Sequence, residues 1–312
     1  MTNEISYTVE EVANLLKVSK LTVYDLIKKG KIPSFKVGRQ MRVNAKDLDS
    51  FISGKQAEHT TGLHPSSTNN KQKQQKENKQ HVLISGQDMI LDILGKHIEK
   101  KGNFKALRTY EGSLNSLLAM YRGECDIVSL HMFDGDTGEY NVPFVRKILI
   151  GFQYTIINLV SRKAGFMVQR GNPQNLTTWN DLKKKKIRLV NREIGSGARI
   201  LLEEQLRINN ISLSEISGYE NVETSHLSVA SSIVSGKADV GIGIEKVAKM
   251  VGLDFIPLIT ERYDLVMIHN QQNQEIIEIV EGILRTASIK EEIQSLGDYD
   301  VSQTGQVVYK TS

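Results

Sequence analysis

Three short segments place serine and glycine where a strand is followed by a predicted helix, and together they could bind a small anion. The segments are residues 85–88, 112–116 and 191–199, and their hydroxyls include those of Ser85, Ser113 and Ser196. The first turn of a helix has unpaired N–H groups, which attract negative charge. Each segment alone is an ordinary helix cap. Three of them at strand-to-helix turns, where open α/β sheets bind ligands, favour a ligand site.

Side chains near these segments could extend an anion site. Arg199 lies one residue inside the third helix and could reach a carboxylate or an oxyanion. His131 and His226 could add protonatable contacts, although a single histidine is more often structural. A metal site would need further clustered ligands that the spacing does not show. The sequence has no nucleophile elbow and no Walker lysine, so we expect no catalytic site, no metal and no cofactor.

The elements that must hold these residues alternate between short β-like runs and helical patterns from residue 81 onward. This alternation predicts an α/β domain with mostly parallel sheets. A helix followed by glycine and aspartate occurs at residues 122–128 and again at 235–241, so two similar lobes with a cleft between them are the simplest architecture. Asp126 and Asp239 belong to this repeat, which favours a capping role over paired-carboxylate catalysis.

An isoleucine-rich helix pattern near the C-terminus has two interpretations. Residues 276–284 repeat isoleucine, valine and leucine at helical spacing. The pattern could form a dimer interface, but packing of the helix on its own domain is favoured.

Charge is uneven along the 312 residues and divides the chain into regions. Residues 1–80 hold 14 Lys or Arg against eight Asp or Glu, whereas the remainder holds 26 against 28. A nucleic acid would therefore meet the N-terminal part. Residues 55–80 contain almost no large apolar side chain, which predicts a disordered linker between one domain over residues 1–54 and another over residues 81–312.

The cysteine content and the N-terminal residues predict a cytoplasmic protein. A single cysteine, Cys125, cannot form an intramolecular disulfide, which fits a reducing compartment. Residues 1–9 lack the basic and apolar stretches of a signal peptide. No apolar run of the sequence approaches the roughly 18 to 20 residues of a membrane helix, so we expect no membrane partner.

Residues 5–52 combine two capped helices, a hairpin and a third helix. Thr8 and Glu11 are predicted to form a capping box, Ser19 caps the second helix, and the hairpin turns at Gly38-Arg39. The second helix in the major groove, with the basic hairpin on the adjacent backbone, would bind DNA; the alternative is a small adaptor with solvated charges. The candidate DNA contacts are Ser19, Lys20, Thr22, Tyr24, Lys28, Lys36, Arg39 and Arg42.

This module resembles the excisionase-like, MerR-type winged helix-turn-helix family. The motifs that resemble the family are Tyr7 to Ala13, Leu16 to Ser19, Val23-Tyr24, Ile27 to Pro33 and Lys36 to Arg39. The resemblance implies a partner in double-stranded DNA.

Residues 81–270 resemble the periplasmic-binding-protein-like domain that occurs in bacterial and archaeal regulators, a relative of molybdate-binding receptors. The resemblance lies in residues 85–88, 112–113, 131–134, 141–144, 191–192, 195–197, 199, 225–226, 229–230, 236, 238–241, 243–245, 252–255, 257–258 and 263–265. It implies two lobes that close on a ligand, with Ser85, Ser113, Ser196 and Arg199 as the first contacts. The full set of candidate ligand contacts adds Gly86, His131, Gly197, His226 and Tyr263. Ala198 and Ile244-Glu245 depart from the family, which often has threonine and tyrosine at these places.

These features together predict a multi-domain protein, with a small, mainly α winged helix-turn-helix joined to a two-lobed α/β domain like that of periplasmic binding proteins. We expect a homo-oligomeric transcriptional regulator that binds DNA and senses a small anion, most of all molybdate or tungstate. Two alternatives stay open. One is an enzyme or scavenger in molybdenum-cofactor assembly, and the other is an architectural DNA-binding partner of a recombinase.

Overall fold

The structure is a computed structural model that describes residues 6–16, 20–28, 32–37, 40–52 and 79–311. The chain divides into two compact units between residues 74 and 75. Of the predicted linker, residues 55–80, all but Lys79 and Gln80 lie outside the described residues. Within the described ranges, no helix has both the length and the apolar character that crossing a membrane requires.

The N-terminal unit combines helices with a three-stranded antiparallel sheet of order β1-β3-β2. Its elements are β1 (Ser6–Thr8), α1 (Val9–Leu16), α2 (Lys20–Lys28), β2 (Phe35–Val37), β3 (Gln40–Asn44) and α3 (Ala45–Ile52). Glu11 donates its N–H to the Thr8 hydroxyl, and the Glu11 carboxylate accepts the Thr8 N–H at 2.7 Å. The predicted capping box is therefore confirmed. Val12, Val23 and Val43 are fully buried in the small core between these elements.

The C-terminal unit alternates strands and helices, as expected of an α/β domain. Its elements are β4 (Gln80–Ser85), α4 (Ile90–Lys101), β5 (Phe104–Thr109), α5 (Ser113–Tyr121), β6 (Ile127–Leu130), α6 (Val142–Ile148), β7 (Tyr154–Val168), β8 (Leu189–Arg192), α7 (Gly197–Ile208), β9 (Val222–Glu223), α8 (His226–Val234), β10 (Val240–Ile244), α9 (Glu245–Met250), β11 (Asp254–Ile268), α10 (Gln274–Leu284), α11 (Ala287–Ser295), β12 (Tyr299–Asp300) and β13 (Val307–Lys310).

The strands of this unit form a mixed sheet of order β5-β4-β6-β11-β7-β10-β8-β9, and β12 and β13 pair with β7. The expectation of mostly parallel sheets is wrong for the strands at the centre of this sheet. There, β7 and β11, of 15 residues each, run antiparallel to each other, and β6 and β10 pair antiparallel with them. Only the outer strands are parallel. Buried strands read as continuous apolar runs, from which direction cannot be inferred.

The two long strands run through two lobes. Lobe 1 contains β4, β5 and β6 with α4, α5, α6, α10 and α11, and lobe 2 contains β8, β9 and β10 with α7, α8 and α9. Separate apolar clusters fill the lobes, for example around Leu94 in lobe 1 and around Leu201 in lobe 2. The space between the lobes is consequently bounded by the ends of strands and the starts of helices.

The isoleucine-rich pattern forms α10, which packs on its own domain. Ile276, Ile277, Val280 and Ile283 are buried in the core of lobe 1, in the same cluster as the apolar residues of α4. This apolar face is therefore covered within the chain, as the favoured interpretation of the sequence expects.

The sequence predicts a capping role for the aspartates of the repeated glycine and aspartate turns, but they bond to the backbone of a neighbouring segment and do not cap a helix. Asp126 accepts the N–H of Leu83 at 2.8 Å, and Asp239 accepts the N–H of Arg188 at 2.8 Å. The hydrogen bonds from Arg188 hold the pKa of Asp239 below its ordinary value. Both carboxylates therefore tie their turns to the neighbouring backbone.

Candidate functional site

A cavity of about 300 Å³ lies between the two lobes. Lobe 1 contributes the start of α4 and Tyr110, lobe 2 contributes the starts of α8 and α9, and β7 and β11 contribute Arg162 and Tyr263. Tyr299 of β12 also lines it. The cavity therefore receives side chains from segments that are far apart in the sequence.

Arg162, in β7, is the most deeply buried cation of the cavity. It is 5% exposed, its Nε donates to Glu261 and its Nη1 donates to Asp88. Its guanidinium carbon lies 4.4 Å from the ring centroid of Tyr263. No residue that the structure describes accepts a hydrogen bond from its Nη2. A buried guanidinium thus keeps one nitrogen for a negatively charged group.

The charges around Arg162 determine which neighbours are ionised. Burial alone would raise the pKa of Glu261, but Arg162 and His131 bring it well below its ordinary value. Burial and the Asp88 carboxylate raise the pKa of Tyr263 to about 12. At neutral pH, Glu261 is therefore a carboxylate and Tyr263 a phenol, whose oxygen lies 2.7 Å from the Ser129 hydroxyl.

His131 connects most of the polar groups at the boundary of the lobes. Its Nδ1 lies 3.2 Å from a Glu261 oxygen, and its backbone N–H donates to the Ser113 hydroxyl at 3.3 Å. Its ring centroid is 5.4 Å from that of Tyr263. Because Nδ1 faces the Glu261 carboxylate, Nε2 is left for a ligand or solvent.

His226, the first residue of α8, has a ring nitrogen without a partner. Its Nδ1 is buried and bonds to no described residue. Burial, together with the positive charges of Arg192 and Arg162, lowers the pKa of His226 well below its ordinary value, so the imidazole is neutral at pH 7. A buried polar atom without a hydrogen bond costs about 1–3 kcal/mol. A ligand group that bonds to Nδ1 itself would remove that cost.

Two helix starts add a positive field to the cavity. The helices α4 and α8, of 12 and nine residues, both begin at its wall. Asp88 caps α4 by accepting the N–H of Ile90 at 2.9 Å, and it also accepts the Tyr299 hydroxyl at 3.1 Å. Residues 79–311 contain no cluster of His, Cys, Asp or Glu suited to a metal ion. The two helix starts thus favour negative charge at this wall, where the Asp88 carboxylate already pairs with Arg162.

Hydrogen bonds across the cleft hold the lobes together. The Gln87 amide of lobe 1 accepts from Arg192 at 2.6 Å and donates to Glu193 at 3.1 Å, both on lobe 2. The Leu114 N–H donates to the Gly195 carbonyl at 2.9 Å. The structure is therefore a closed arrangement of the two lobes.

The helix α9 adds a second set of contacts between lobe 2 and the C-terminal segment. Lys246 donates to the Leu296 carbonyl, and Lys249 forms an ion pair with Asp298. Because Leu296 packs on the core of lobe 1, these bonds also join the two lobes.

The three predicted serine hydroxyls have protein partners. Ser85 Oγ lies 2.8 Å from Ser116 Oγ, Ser113 Oγ accepts the His131 N–H, and Ser196 Oγ accepts the Arg199 N–H at 3.3 Å. None of these three serines lines the described cavity. Their hydroxyls cap helices or join segments in this closed arrangement.

The two predicted glycines lie where backbone approaches another side chain. A Cβ on Gly86, whose φ is +144°, would lie 1.9 Å from Ser129 Oγ. A Cβ on Gly197 would lie 2.6 Å from the His131 ring. Both positions therefore exclude larger residues, although neither lines the cavity.

Arg199, which the sequence predicts as an anion contact, bonds to protein groups instead of facing the cavity. Its three guanidinium nitrogens donate to Glu203 at 2.8 Å, to the Arg192 carbonyl at 3.2 Å and to the Tyr219 hydroxyl at 3.1 Å. Because each guanidinium nitrogen already has a protein acceptor, the Arg199 side chain stabilises the start of α7.

The cavity brings together His131, His226 and Tyr263 of the nine predicted ligand contacts. Arg162 and Glu261, which are register partners in β7 and β11, are not among the residues predicted from the sequence. A charged residue inside an apolar strand is seldom buried unless it is paired. That pattern, an arginine and a glutamate each within an apolar run, is the signal that could have identified them.

The departures from the family lie close to the cavity. Ile244 lines it, whereas the Glu245 carboxylate pairs with Lys249 at 2.8 Å. The Glu245 charge is therefore compensated by its neighbour on α9. Ala198 is buried in the core of lobe 2, where it packs among apolar side chains.

The N-terminal unit exposes part of the surface that the sequence predicts to contact DNA. On α2, Tyr24 is 49% exposed, and the Lys20 amine forms an exposed ion pair with Glu10 at 2.8 Å. Thr22 is exposed on the same helix. Arg42 donates to the backbone and hydroxyl oxygens of Ser6, so it ties β3 to β1.

Four other predicted DNA contacts lie outside what the structure describes. Ser19 and Arg39 are outside the described residues, and the side chains of Lys28 and Lys36 are not described, although their backbones belong to α2 and β2. All eight predicted DNA contacts stay predictions.

Comparison with known proteins matches both units of the chain. A family model described as PBP superfamily domain matches residues 95–284, and one described as helix-turn-helix domain matches residues 6–56. The protein YvgK of Bacillus subtilis is 46% identical over 311 residues, which is 100% of each chain. A Mycobacterium tuberculosis protein named as DNA-binding is 56% identical over 45 residues, which is 14% of this chain and 58% of its own.

Solved structures resemble the C-terminal unit. A phosphate ABC transporter substrate-binding protein from Clostridium perfringens, with bound phosphate, has a TM-score of 0.52 at 12% identity, covering 70% of this chain and 98% of its own. The ancestral amino acid-binding protein AncCDT-1 has a TM-score of 0.50 at 13% identity, covering 69% and 94%. At such low identity, this likeness concerns the fold alone.

Proposed function

The chain belongs to the PBP superfamily and also has a helix-turn-helix domain, and from this premise we propose that it is a cytoplasmic transcriptional regulator that responds to a small anion. A binding-protein fold joined to a DNA-binding module has no evident role in delivering a solute to a transporter. It is suited to report the concentration of a solute to DNA.

The observation that supports an anion is the group of nitrogens at one end of the cavity. Arg162 has Nη2 without an acceptor among the described residues, His226 has an unpartnered Nδ1, and His131 has Nε2 free of described partners. We call these three residues the anion end. A buried guanidinium and two imidazoles form charge-assisted hydrogen bonds with anionic oxygens.

The identity of the anion is part of the proposal. Molybdate and tungstate are the first candidates, because the sequence resembles a relative of molybdate receptors. Phosphate and amino acids are further candidates, because similar folds are those of a phosphate-binding and an amino acid-binding protein. Ligand binding would stabilise the closed lobes, and the closed state would change how a homo-oligomer of the chain presents its helix-turn-helix domains to DNA.

A thermal-shift titration of the full-length protein tests the anion. We expect at least one of molybdate, tungstate, phosphate, sulfate and simple organic acids to raise the Tm, since a ligand at 100 times its Kd stabilises by about 2.7 kcal/mol. His226→Leu should abolish this shift, because it removes the ring nitrogens at the anion end. His81→Leu is the matched control, because His81 is exposed at the start of β4.

The outcomes of this titration are distinct. If no anion raises the Tm, the anion sensor is rejected. If His81→Leu loses the shift as fully as His226→Leu does, the proposed location of the site is wrong.

Fluorescence anisotropy with the promoter DNA of the chain's own gene tests the regulatory role. We expect nanomolar to micromolar binding whose affinity changes when the effective anion is added, by about 5- to 150-fold for a typical coupling of 1–3 kcal/mol. DNA binding that does not respond to the anion would favour an architectural role over a sensor.

A further inference from the structure

The cavity is larger than the anion end requires. Its volume of about 300 Å³ equals that of roughly ten water molecules at about 30 Å³ each. A tetrahedral inorganic oxyanion has only five heavy atoms. An inorganic ion held at the anion end would consequently leave most of the cavity to water.

The remaining lining comes from both lobes and mixes polar side chains, such as Asp92 and Lys246, with large apolar ones. Met89 and Tyr110 of lobe 1 are 40% and 64% exposed, and Leu227 and Met250 of lobe 2 are 54% and 57% exposed. We call these four side chains the apolar walls. Scattered surface apolar residues need no explanation, but four around one cavity with a charged end are typical of a site for an organic ligand.

The position of the apolar walls relative to the anion end indicates how a ligand would lie. Leu227 directly follows His226 in α8, and Met89 directly follows Asp88, which binds Arg162. In each lobe, therefore, an apolar residue is next in sequence to a polar one. In lobe 2 the polar residue belongs to the anion end, and in lobe 1 it binds a residue of the anion end. Both kinds of surface belong to one continuous cavity.

We propose that the ligand is a small organic anion, with its negative group at the anion end and an apolar or aromatic group between the apolar walls. This inference rests on the proposed function and makes its ligand more specific. Burial of apolar surface stabilises by about 25 cal/mol per Å². Because the walls lie on different lobes, the apolar group also stabilises the closed arrangement.

Isothermal titration calorimetry of the full-length protein with matched pairs of anions tests this inference. One pair is inorganic phosphate and phenyl phosphate, another is acetate and phenylacetate, and molybdate is titrated alongside. We expect the aromatic member of at least one pair to bind at least tenfold more tightly than its small counterpart and than molybdate. Two pairs are used because either a phosphate or a carboxylate group fits the anion end.

Variants of the apolar walls identify where the aromatic group binds. Leu227→Ser and Met250→Ser should each weaken the aromatic ligand at least fivefold and leave the affinity for its small counterpart unchanged. Val234→Ser is the matched control, because Val234 is 56% exposed on the same helix as Leu227 but does not line the cavity. Equal losses in all three variants would overturn the assignment of the walls.

Failure of this inference differs from failure of the proposed function. If molybdate or inorganic phosphate binds as tightly as the aromatic anions do, the organic ligand is rejected and the anion sensor stands. If no anion of either kind binds, both are rejected.

Discussion

The Arg162 guanidinium is buried away from water in the closed, folded protein. Its ion pairs with two carboxylates offset the free-energy cost of burying its charge. Removing one member of a buried ion pair leaves an uncompensated charge. We expect Arg162→Met to lower the free energy of unfolding by about 3–5 kcal/mol, measured by urea denaturation. The double variant Arg162→Met/Glu261→Met should be less destabilised than the sum of its single variants. Full additivity would show that the two side chains do not interact.

His226 makes stability depend on pH in a direction that its environment determines. Its folded pKa is depressed, so below the ordinary histidine pKa of about 6.5 the unfolded chain takes up a proton that the folded chain resists. The folded state therefore loses stability as pH falls through that value and is unaffected above it. We expect the Tm to fall less between pH 7.5 and pH 5.5 in His226→Leu than in the unchanged protein. An identical fall in both proteins would contradict this.

The residues of the cavity were only partly predictable from the sequence. His131 and His226 were identified because protonatable side chains in an α/β domain are natural candidates for an anion site. Arg162 was not, since its role depends on β7 and β11 crossing between lobes, with Glu261 opposite it. Arg199 had the expected position near a helix start, but Glu203 one turn later captures its side chain. Local sequence predicts where a residue lies in a helix or strand. It does not predict which neighbouring side chain forms a hydrogen bond with it.

At the scale of elements, the alternating pattern predicted an α/β domain with parallel pairing, which the structure has between its outer strands. The crossing strands were not predicted, because a 15-residue strand buried in both lobes looks like two unrelated apolar runs. The strand β1 was also missed, since its three residues pair only with β3 and are too short to show a period. The alternating pattern therefore does not predict the length of the long strands or the pairing of strands that are distant in the sequence.

Replacing either of two glycines by alanine should change stability, in opposite directions. Gly282 lies inside α10, and a Cβ there would meet no described atom within 4 Å. We expect Gly282→Ala to stabilise by about 0.5–1 kcal/mol, because alanine is the better helix former. Gly86→Ala should instead destabilise, since its Cβ would overlap Ser129. Chemical denaturation of both variants checks the pair, and a destabilised Gly282→Ala would show that the exposed face of α10 is in fact packed.

At the scale of the whole molecule, the positive charge of the N-terminal part predicts DNA binding that depends on salt. The exposed Lys20–Glu10 ion pair is weak, so the Lys20 amine can exchange to a phosphate. We expect Lys20→Ala to weaken DNA binding and to reduce the slope of log K against log salt by about 0.9. Lys237→Ala, in the C-terminal unit, is the control. An unchanged slope in Lys20→Ala would contradict the proposed contact.

The order of segments along the chain has a consequence for synthesis. Lobe 1 begins at β4 but is finished only by α10, α11 and the last strands, which also bring Tyr299 to Asp88 and Leu296 to Lys246. During translation the helix-turn-helix leaves the ribosome before the two lobes, and the cavity stays incomplete until the C-terminal segment has emerged. A chain whose translation stops before α10 would retain its helix-turn-helix domain, lose Tyr299 from the cavity and lack the α10 and α11 part of the lobe 1 core.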